Sequence, residues 1–196
     1  MAISTVKMIL ASGSPRRKEL LTRLGYDFNI IAPEIDENIL DGENPEQHVM
    51  RLALGKAMNV AQNNPADLVI GADTVVVLGE KILGKPSSPD EAIAMLTLLS
   101  GKAHTVYTGL ALVLFDEEII KSDFDKTRVV FNPLNKADIA SYVASGEPLD
   151  KAGAYGIQGM GSFLVKNYDG EFDTVIGFPT KLFSKMYGEV DSCRNR

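Results

Sequence analysis

A long run of β-forming residues, DLVIGADTVVVL at residues 67–78, constrains the fold more than any other segment. A run of this composition predicts a long strand. Helix-start signals lie on both sides of it, because the tetrapeptides NPEQ, beginning at Asn44, and SPDE, beginning at Ser88, both resemble capping boxes. A strand placed between two such helices favours an α/β fold.

The other predicted elements mix strands and helices without strict β–α–β alternation. Further strands are predicted at residues 6–11, 26–32, 81–83, 104–115, 119–131 and 163–168. Further helices are predicted from Ser14 to Gly25, at residues 135–144 and, as a short helix, after Pro179. Residues 146–161 are predicted to form a glycine-rich loop. The predicted fold class is α/β, with a mixed twisted sheet and flanking helices.

Composition indicates one globular domain. The chain has 196 residues, of which 45% are hydrophobic and 23% charged, and these values are ordinary for a globular protein. No internal repeat and no Pro/Gly/Ser linker is visible. We therefore expect a single domain over residues 1–196, with a polar tail from about residue 189.

Charge and cysteine content exclude several classes of protein. A net charge of −6 argues against broad nucleic-acid binding, which needs an extended basic face. No stretch reaches the ~20 apolar residues of a membrane span, and residues 1–10 lack the apolar core of a secretory signal. The single cysteine, Cys193, cannot form an internal disulfide, and no Cys/His cluster suits zinc. We expect a cytoplasmic location.

The segment ASGSPRR at residues 11–17 has the pattern of an anion site. A helix that begins there presents unpaired N–H groups, and the small residues Ser12 and Ser14 let an anion approach the backbone. Arg16 and Arg17 stand in the first helical turn, where the helix dipole disfavours cations. An anionic ligand would explain this conflict, and the alternative is that both arginines point into solvent.

Lys56 is out of place in its predicted helix. The apolar stripe of that helix falls on residues 49, 52, 53, 57 and 60, and Lys56 lies within it. The lysine must extend its ammonium group to solvent, pair with a carboxylate or face an anionic ligand. We expect a Lys56→Met protein to be at least as stable as the parent.

Asp73 is the second misplaced charge, because it interrupts the β-forming run at residues 67–78. A buried carboxylate is costly unless it is paired, hydrogen-bonded or bound to a metal. The alternative is a carboxylate at a strand end on the surface.

Three acidic residues follow the second predicted strand, namely Glu34, Asp36 and Glu37. Clustered carboxylates suit a hard cation such as Mg²⁺, although an acidic surface loop is the commoner explanation. Lys85 beside Pro86 is either a further ligand-binding cation or a solvated one.

Two other polar residues complete the candidates. Gln158 in the glycine-rich segment has both a donor and an acceptor for the edge of a base. His48 is expected on a helix surface, and no nucleophile motif accompanies it.

Six segments together resemble the Maf family of nucleoside triphosphate pyrophosphatases. They are LASGSPRRKELL, EIDE, RLALGKA, GADTVVV, ILGKP and YVASGEPLDKAGAYGIQGMG, in family order between about residues 8 and 179. The segment ASGEPLDKAGAYGIQG is most similar to the branch that acts on dTTP and UTP.

The resemblance implies hydrolysis of a nucleoside triphosphate to the monophosphate and pyrophosphate, with a divalent metal, Mg²⁺ or Mn²⁺. It also implies two lobes around a nucleotide-binding cleft, a cytoplasmic location and a homodimer. A regulator of cell division and septum formation that binds nucleotides, and an enzyme of the same fold that prefers 7-methyl-GTP, are the alternatives.

The resemblance also assigns roles to residues. Asp73 matches the catalytic acid, and whether it is base, metal ligand or both is left open. The matched substrate-binding residues are Ser12, Ser14, Arg16, Arg17, Lys56 and Lys85. The residues matched to base selection are Arg16, Thr74 and Gln158, and those matched to the metal are Glu37 and Asp73.

Overall fold

The computed structural model describes residues 6–194, in which seven strands form one mixed sheet. The strands are β1 (Met8–Ala11), β2 (Phe28–Ile30), β3 (Leu68–Leu78), β4 (Lys81–Leu83), β5 (Ala103–Leu114), β6 (Ile119–Phe131) and β7 (Val165–Asp169). Their order is β2-β1-β3-β5-β6-β7, and β4 pairs with β3. Strand β1 is parallel to both β2 and β3. Strand β4 is antiparallel to β3, and β7 is antiparallel to β6. The predicted mixed α/β sheet is confirmed.

Six α-helices accompany the sheet within residues 6–194. They are α1 (Pro15–Arg23), α2 (Pro45–Ala61), α3 (Pro89–Leu99), α4 (Lys136–Ala144), α5 (Phe172–Ile176) and α6 (Thr180–Arg194). All except α5 were predicted from the sequence. None of these helices combines the length and apolar character that a membrane span requires.

The predicted helix starts are confirmed with differences in detail. At α2, Gln47 N donates to Asn44 Oδ1 at 2.8 Å and Asn44 N donates to Gln47 Oε1 at 3.1 Å, which is a complete capping box. At α3, Glu91 N donates to Ser88 Oγ at 3.2 Å, but the Glu91 carboxylate accepts from Ser87 N instead of closing the box on Ser88.

The glycine-rich segment is not the loop that the sequence predicted. It contains the 3₁₀ helices Glu147–Asp150 and Ala152–Ala154, and a third, Gly159–Leu164, follows. Pro148 fixes φ at the start of the first. Gly146 and Gly159 have φ near +70°, and this allows the chain to change direction between short helical turns.

The C-terminal helix was predicted to be short, and this was wrong. It runs for 15 residues to Arg194, so residues 189–194 of the expected polar tail are helical. Phe183, Met186 and Val190 recur on one helical face and are buried, and this burial explains the length. The predicted single domain extends beyond the described residues at both ends and stays a prediction.

The described residues divide into two compact units. Within residues 6–194, unit 1 comprises residues 6–73, Thr108–Asp125 and residues 177–194, and unit 2 comprises Thr74–Tyr107 and Lys126–Ile176. The strands β3, β5 and β6 are covalently continuous through both.

In unit 1, helix α2 lies with its backbone directly against two strands. A Cβ placed on Gly71 of β3 would be 2.1 Å from Ala53 O, and one on Gly109 of β5 would be 2.3 Å from Val49 O. The neighbouring core is made largely of alanine and valine, including Ala53, Ala57 and Val69. The small side chains of this core, and the lack of a side chain at Gly71 and Gly109, therefore allow the short distance between helix and sheet.

The core of unit 2 encloses a histidine. The His104 ring packs edge-on against Phe131 and Tyr155, with centroid distances of 4.8 and 5.4 Å. Its Nε2 lies 2.8 Å from the Tyr155 hydroxyl, and its Nδ1 has no hydrogen-bond partner within residues 6–194. Burial lowers the pKa of His104 from 6.5 to about 4.

We predict that Gly71→Ala lowers the free energy of unfolding by about 3 kcal/mol, because the added methyl group overlaps the backbone of α2. Urea denaturation measures the change. Gly188→Ala is the matched control: an added Cβ at this position on α6 meets no heavy atom within 4 Å among the described residues. It should raise stability by up to ~1 kcal/mol through helix propensity. Equal stability of the two variants would contradict the close packing at Gly71.

The buried His104 predicts that stability falls as the pH falls from 6.5 to 4. In that range the unfolded histidine takes up a proton while the folded one stays neutral, so the unfolded state binds more protons. The pKa difference corresponds to a loss of about 3 kcal/mol in unfolding free energy. Urea titrations at several pH values measure it. A His104→Gln protein should have a shallower slope, and an unchanged slope would contradict the lowered pKa.

Candidate active site

A buried lysine joins two carboxylates in unit 1. Lys56 Nζ lies 2.7 Å from Asp73 Oδ1 and 2.9 Å from Glu37 Oε1. Lys56 and Asp73 are each only 5% exposed, whereas 47% of the Glu37 side chain is exposed. Of the three alternatives for Lys56, pairing with a carboxylate is confirmed, and Asp73 is paired as a buried acid must be.

The approach of α2 to β3 explains why this pair forms. Side chains two residues apart point to the same face of a strand, so Asp73 shares the face of Gly71 that meets α2. On the helix, Ala53 and Ala57 contact Gly71, and Lys56 lies three residues after Ala53 on the same side. The ammonium group and the carboxylate therefore meet where helix and strand are closest.

The Arg17 side chain at the start of α1 donates hydrogen bonds to other parts of the protein. Its Nη1 donates to Ala72 O at 2.9 Å and to Ser12 Oγ at 3.3 Å, and its Nε donates to Gly177 O at 2.9 Å. Burial lowers the pKa of Arg17, and the nearby negative charge of Asp73 opposes that shift. The alternative that both arginines point into solvent is wrong for Arg17, which ties α1 to the residue before Asp73.

The two serines of this segment lie in different environments. Ser12 is buried and accepts from Ser14 N at 3.2 Å. Ser14 occupies the N-cap position of α1, but among the described residues its side chain makes no capping hydrogen bond. The buried Ser12 hydroxyl therefore fixes the backbone of residues 12–14 through this hydrogen bond.

Each predicted site residue has a definite place. Unit 1 contains Ser12, Ser14, Arg16, Arg17, Glu37, Lys56 and Asp73. Unit 2 contains Thr74, Lys85 and Gln158. Thr74 follows Asp73 on β3 and is half-buried, as is Arg16, while Lys85 and Gln158 are exposed. Their roles toward a substrate stay predictions.

The acidic loop at residues 34–38 is fixed on α2 by contacts that were not predicted from the sequence. Glu34 N donates to Asn59 Oδ1 and Asn59 Nδ2 donates back to Glu34 O, both at 3.2 Å. Arg51 Nη2 donates to Asn38 O at 2.9 Å. Glu37 lies between these two attachments, so the loop is held on both sides of the carboxylate that meets Lys56.

A second ion-pair group anchors Arg51. Its Nε lies 2.5 Å from Glu43 Oε1, and Glu43 Oε2 lies 2.9 Å from His48 Nδ1. Hydrogen bonding to Arg51 is the main cause that lowers the pKa of Glu43 to about 2. The prediction that His48 lies on a helix surface is wrong, since it is 3% exposed and packs beside Glu43. The spacing of His48 and Arg51, three residues apart on one helix, was the available signal.

The sequence model of the Maf-like protein family matches residues 7–190. The chain belongs to this family. Relatives named dTTP/UTP pyrophosphatase in Bacillus cereus and Bacillus anthracis are each 51% identical to it over 173 residues, covering 88% of this chain and 90% of the relative. A HAM1 protein structure from Coxiella burnetii matches with a TM-score of 0.50 and 16% identity, covering 94% of this chain and all of that one. This last likeness concerns the fold alone.

The carboxylates of this Maf-like chain fit one kind of metal site. Within residues 6–194, no group of three or more His, Cys, Asp or Glu side chains is arranged to hold an ion. Mg²⁺, however, is usually held by one or two carboxylates, with waters and substrate phosphates supplying the other ligands. Glu37 and Asp73 fit that donor set, with the Lys56 ammonium group between them.

The sequence predicted that Lys56→Met is at least as stable as the parent. The buried pair of Lys56 and Asp73 changes this prediction. Removing the ammonium group leaves Asp73 buried without its counter-ion, so we predict a loss of about 3 kcal/mol in unfolding free energy. In the Lys56→Met/Asp73→Asn double variant, the buried charge is absent and much of that loss should be recovered. Urea denaturation of the two variants and the parent measures both effects. A single variant as stable as the parent would contradict the buried pair.

Proposed function

We propose that the chain hydrolyses dTTP and UTP to the nucleoside monophosphate and pyrophosphate. The observation that carries this proposal is the buried pair of Lys56 and Asp73, with the exposed Glu37 also bound to Lys56, in a chain 51% identical to relatives named dTTP/UTP pyrophosphatase. A buried carboxylate fixed by a lysine is a typical arrangement for moving a proton at a reaction centre.

Asp73 is the proposed general base. One of its carboxylate oxygens accepts the proton of a water molecule as that water attacks the α-phosphorus. The bond from the α-phosphorus to the bridging oxygen breaks, and its electron pair leaves with pyrophosphate. Lys56 fixes the orientation of the carboxylate through the 2.7 Å contact to Oδ1.

Binding of the triphosphate is assigned to the cations and the N-terminus of α1. The charge of the phosphates is offset by Arg16, Arg17, Lys56 and Lys85. Ser12 and Ser14 precede the first turn of α1, whose backbone N–H groups, which begin at Arg16 because Pro15 has none, donate to phosphate oxygens. Glu37 and Asp73 are the residues that would hold a divalent metal, Mg²⁺ or Mn²⁺, and the metal would supply polarisation of the phosphate.

Base selection is assigned to Arg16, Thr74 and Gln158. Uracil and thymine share the same imide edge, to which the Gln158 amide can both donate and accept. A site that bonds this edge rejects bases that leave its polar groups unpaired.

We further propose that the enzyme acts as a homodimer in the cytoplasm, without binding nucleic acid or membranes. The resemblance to the Maf family supports the dimer and the location. The net charge of −6 supports the absence of broad nucleic-acid binding.

The proposed function predicts that the protein releases pyrophosphate from dTTP and UTP much faster than from dATP, GTP or 7-methyl-GTP. Each nucleotide is supplied at equal concentration with Mg²⁺ or Mn²⁺, and pyrophosphate and orthophosphate are measured separately. Asp73→Asn should lower kcat by at least about 100-fold, the usual size of a general-base effect. Its fold is checked by circular dichroism.

Three results would contradict the proposal at different levels. Orthophosphate as the first product would remove the pyrophosphatase assignment. Pyrophosphate from a purine nucleotide alone would remove the pyrimidine assignment and keep the reaction. Near-normal turnover by folded Asp73→Asn would remove the role of Asp73.

A further inference from the structure

Two side chains hold the backbone on both sides of Gln158. Gly156 N donates to the Tyr142 hydroxyl oxygen at 3.1 Å, and Met160 N donates to Glu147 Oε2 at 3.1 Å. The Tyr142 hydroxyl itself donates to Glu147 Oε1 at 3.1 Å. The hydrogen bonds therefore connect the residues two before and two after Gln158 through one joined pair of side chains.

The segment between these bonds is tightly turned. A Cβ placed on Gly161 would be 2.3 Å from Gly156 O and 2.7 Å from the Tyr142 hydroxyl oxygen, so the two ends of the turn lie close together. Gly159 has a φ of +67°, a conformation that glycine adopts readily. Gln158 is exposed on this turn, whereas the preceding Ile157 is buried.

The support for the turn comes from the unit 2 core. Tyr142 lies on α4, is almost fully buried, and packs edge-on against Phe163 with centroids 6.1 Å apart. Burial raises the pKa of Tyr142, so its hydroxyl stays protonated and can donate to Glu147 while it accepts from Gly156. The hydroxyl can therefore make both hydrogen bonds at the same time at neutral pH.

We infer that Tyr142 and Glu147 are positioning residues for base selection, which fix the turn that presents the Gln158 amide to the base. This inference rests on the proposed function and adds two residues to it. A hydrogen bond from a fixed group contributes more to binding than one from a mobile group, because less conformational entropy is lost on binding. If the turn is loosened, the bond to the imide edge weakens and the preference for uracil declines.

The test measures kcat/KM for UTP and for CTP in Tyr142→Phe and Glu147→Gln, because cytosine reverses the donor and acceptor of the imide edge, whereas guanine presents the same pair. Losing the benefit of one hydrogen bond should lower the UTP:CTP ratio by about five-fold, mainly through a higher KM for UTP. Glu147→Gln keeps the volume of the side chain but lacks one acceptor oxygen, and it decides the result alone if Tyr142→Phe does not fold.

Tyr155→Phe is the matched control. It also removes a buried tyrosine hydroxyl of unit 2, but that hydroxyl contacts His104 and neither Gly156 N nor Met160 N. Its UTP:CTP ratio should equal that of the parent even if its melting temperature falls. A ratio lowered equally in this control would overturn the inference, because general loosening of unit 2 would then explain the effect.

Repeating Tyr142→Phe in a Gln158→Ala background separates positioning from a merely structural role. If Tyr142 acts through Gln158, the second substitution leaves the ratio of Gln158→Ala unchanged. A ratio that falls as far as it does in the parent background overturns the inference. So do single variants that keep the parental ratio, or a Gln158→Ala protein with the parental ratio. Failure of the parent to release pyrophosphate from UTP removes the proposed function first, and it is recognised without any variant.

Discussion

The direct contact between the backbone of α2 and strand β3 at Gly71 is the constraint on which the rest of unit 1 depends. With no side chain on Gly71 and only methyl groups on Ala53 and Ala57, the helix and the strand approach until backbone atoms touch. Asp73 follows on the same strand face, and Lys56 lies on the same helix side, so the charged pair forms at the closest point. A larger residue at Gly71 would separate the two charges as well as the two elements.

A buried ion pair is a weak source of stability, because the loss of hydration of both charges offsets most of their attraction. Its presence here is better understood from what it positions than from what it stabilises. Helix α2 also holds the acidic loop through Asn59 and Arg51, on either side of Lys56. One helix therefore fixes the lysine, the loop and the second carboxylate, Glu37, so the three groups keep a constant geometry.

Unit 2 fixes its exposed glutamine by a different means. Its turn is held by neutral backbone N–H groups that donate to Tyr142 and Glu147, with close approaches that only glycine permits. This arrangement places polar groups within an apolar core, where they lose hydration. His104 in the same core also loses hydration, and this burial lowers its pKa. In both units the candidate functional residues lie on backbone that polar side chains hold in place through hydrogen bonds.

The sequence by itself determined the strands, the helix starts and the two misplaced charges, because periodicity, capping residues and a charge in an apolar run are local signals. Only the tertiary structure decided that Lys56 pairs with Asp73, 17 residues away, and that Arg17 binds Gly177 O, 160 residues away. It also decided that His48 is buried and that the glycine-rich segment is helical in part. Such partners depend on how elements pack, and spacing along the chain fixes which face a residue occupies but not what lies opposite that face.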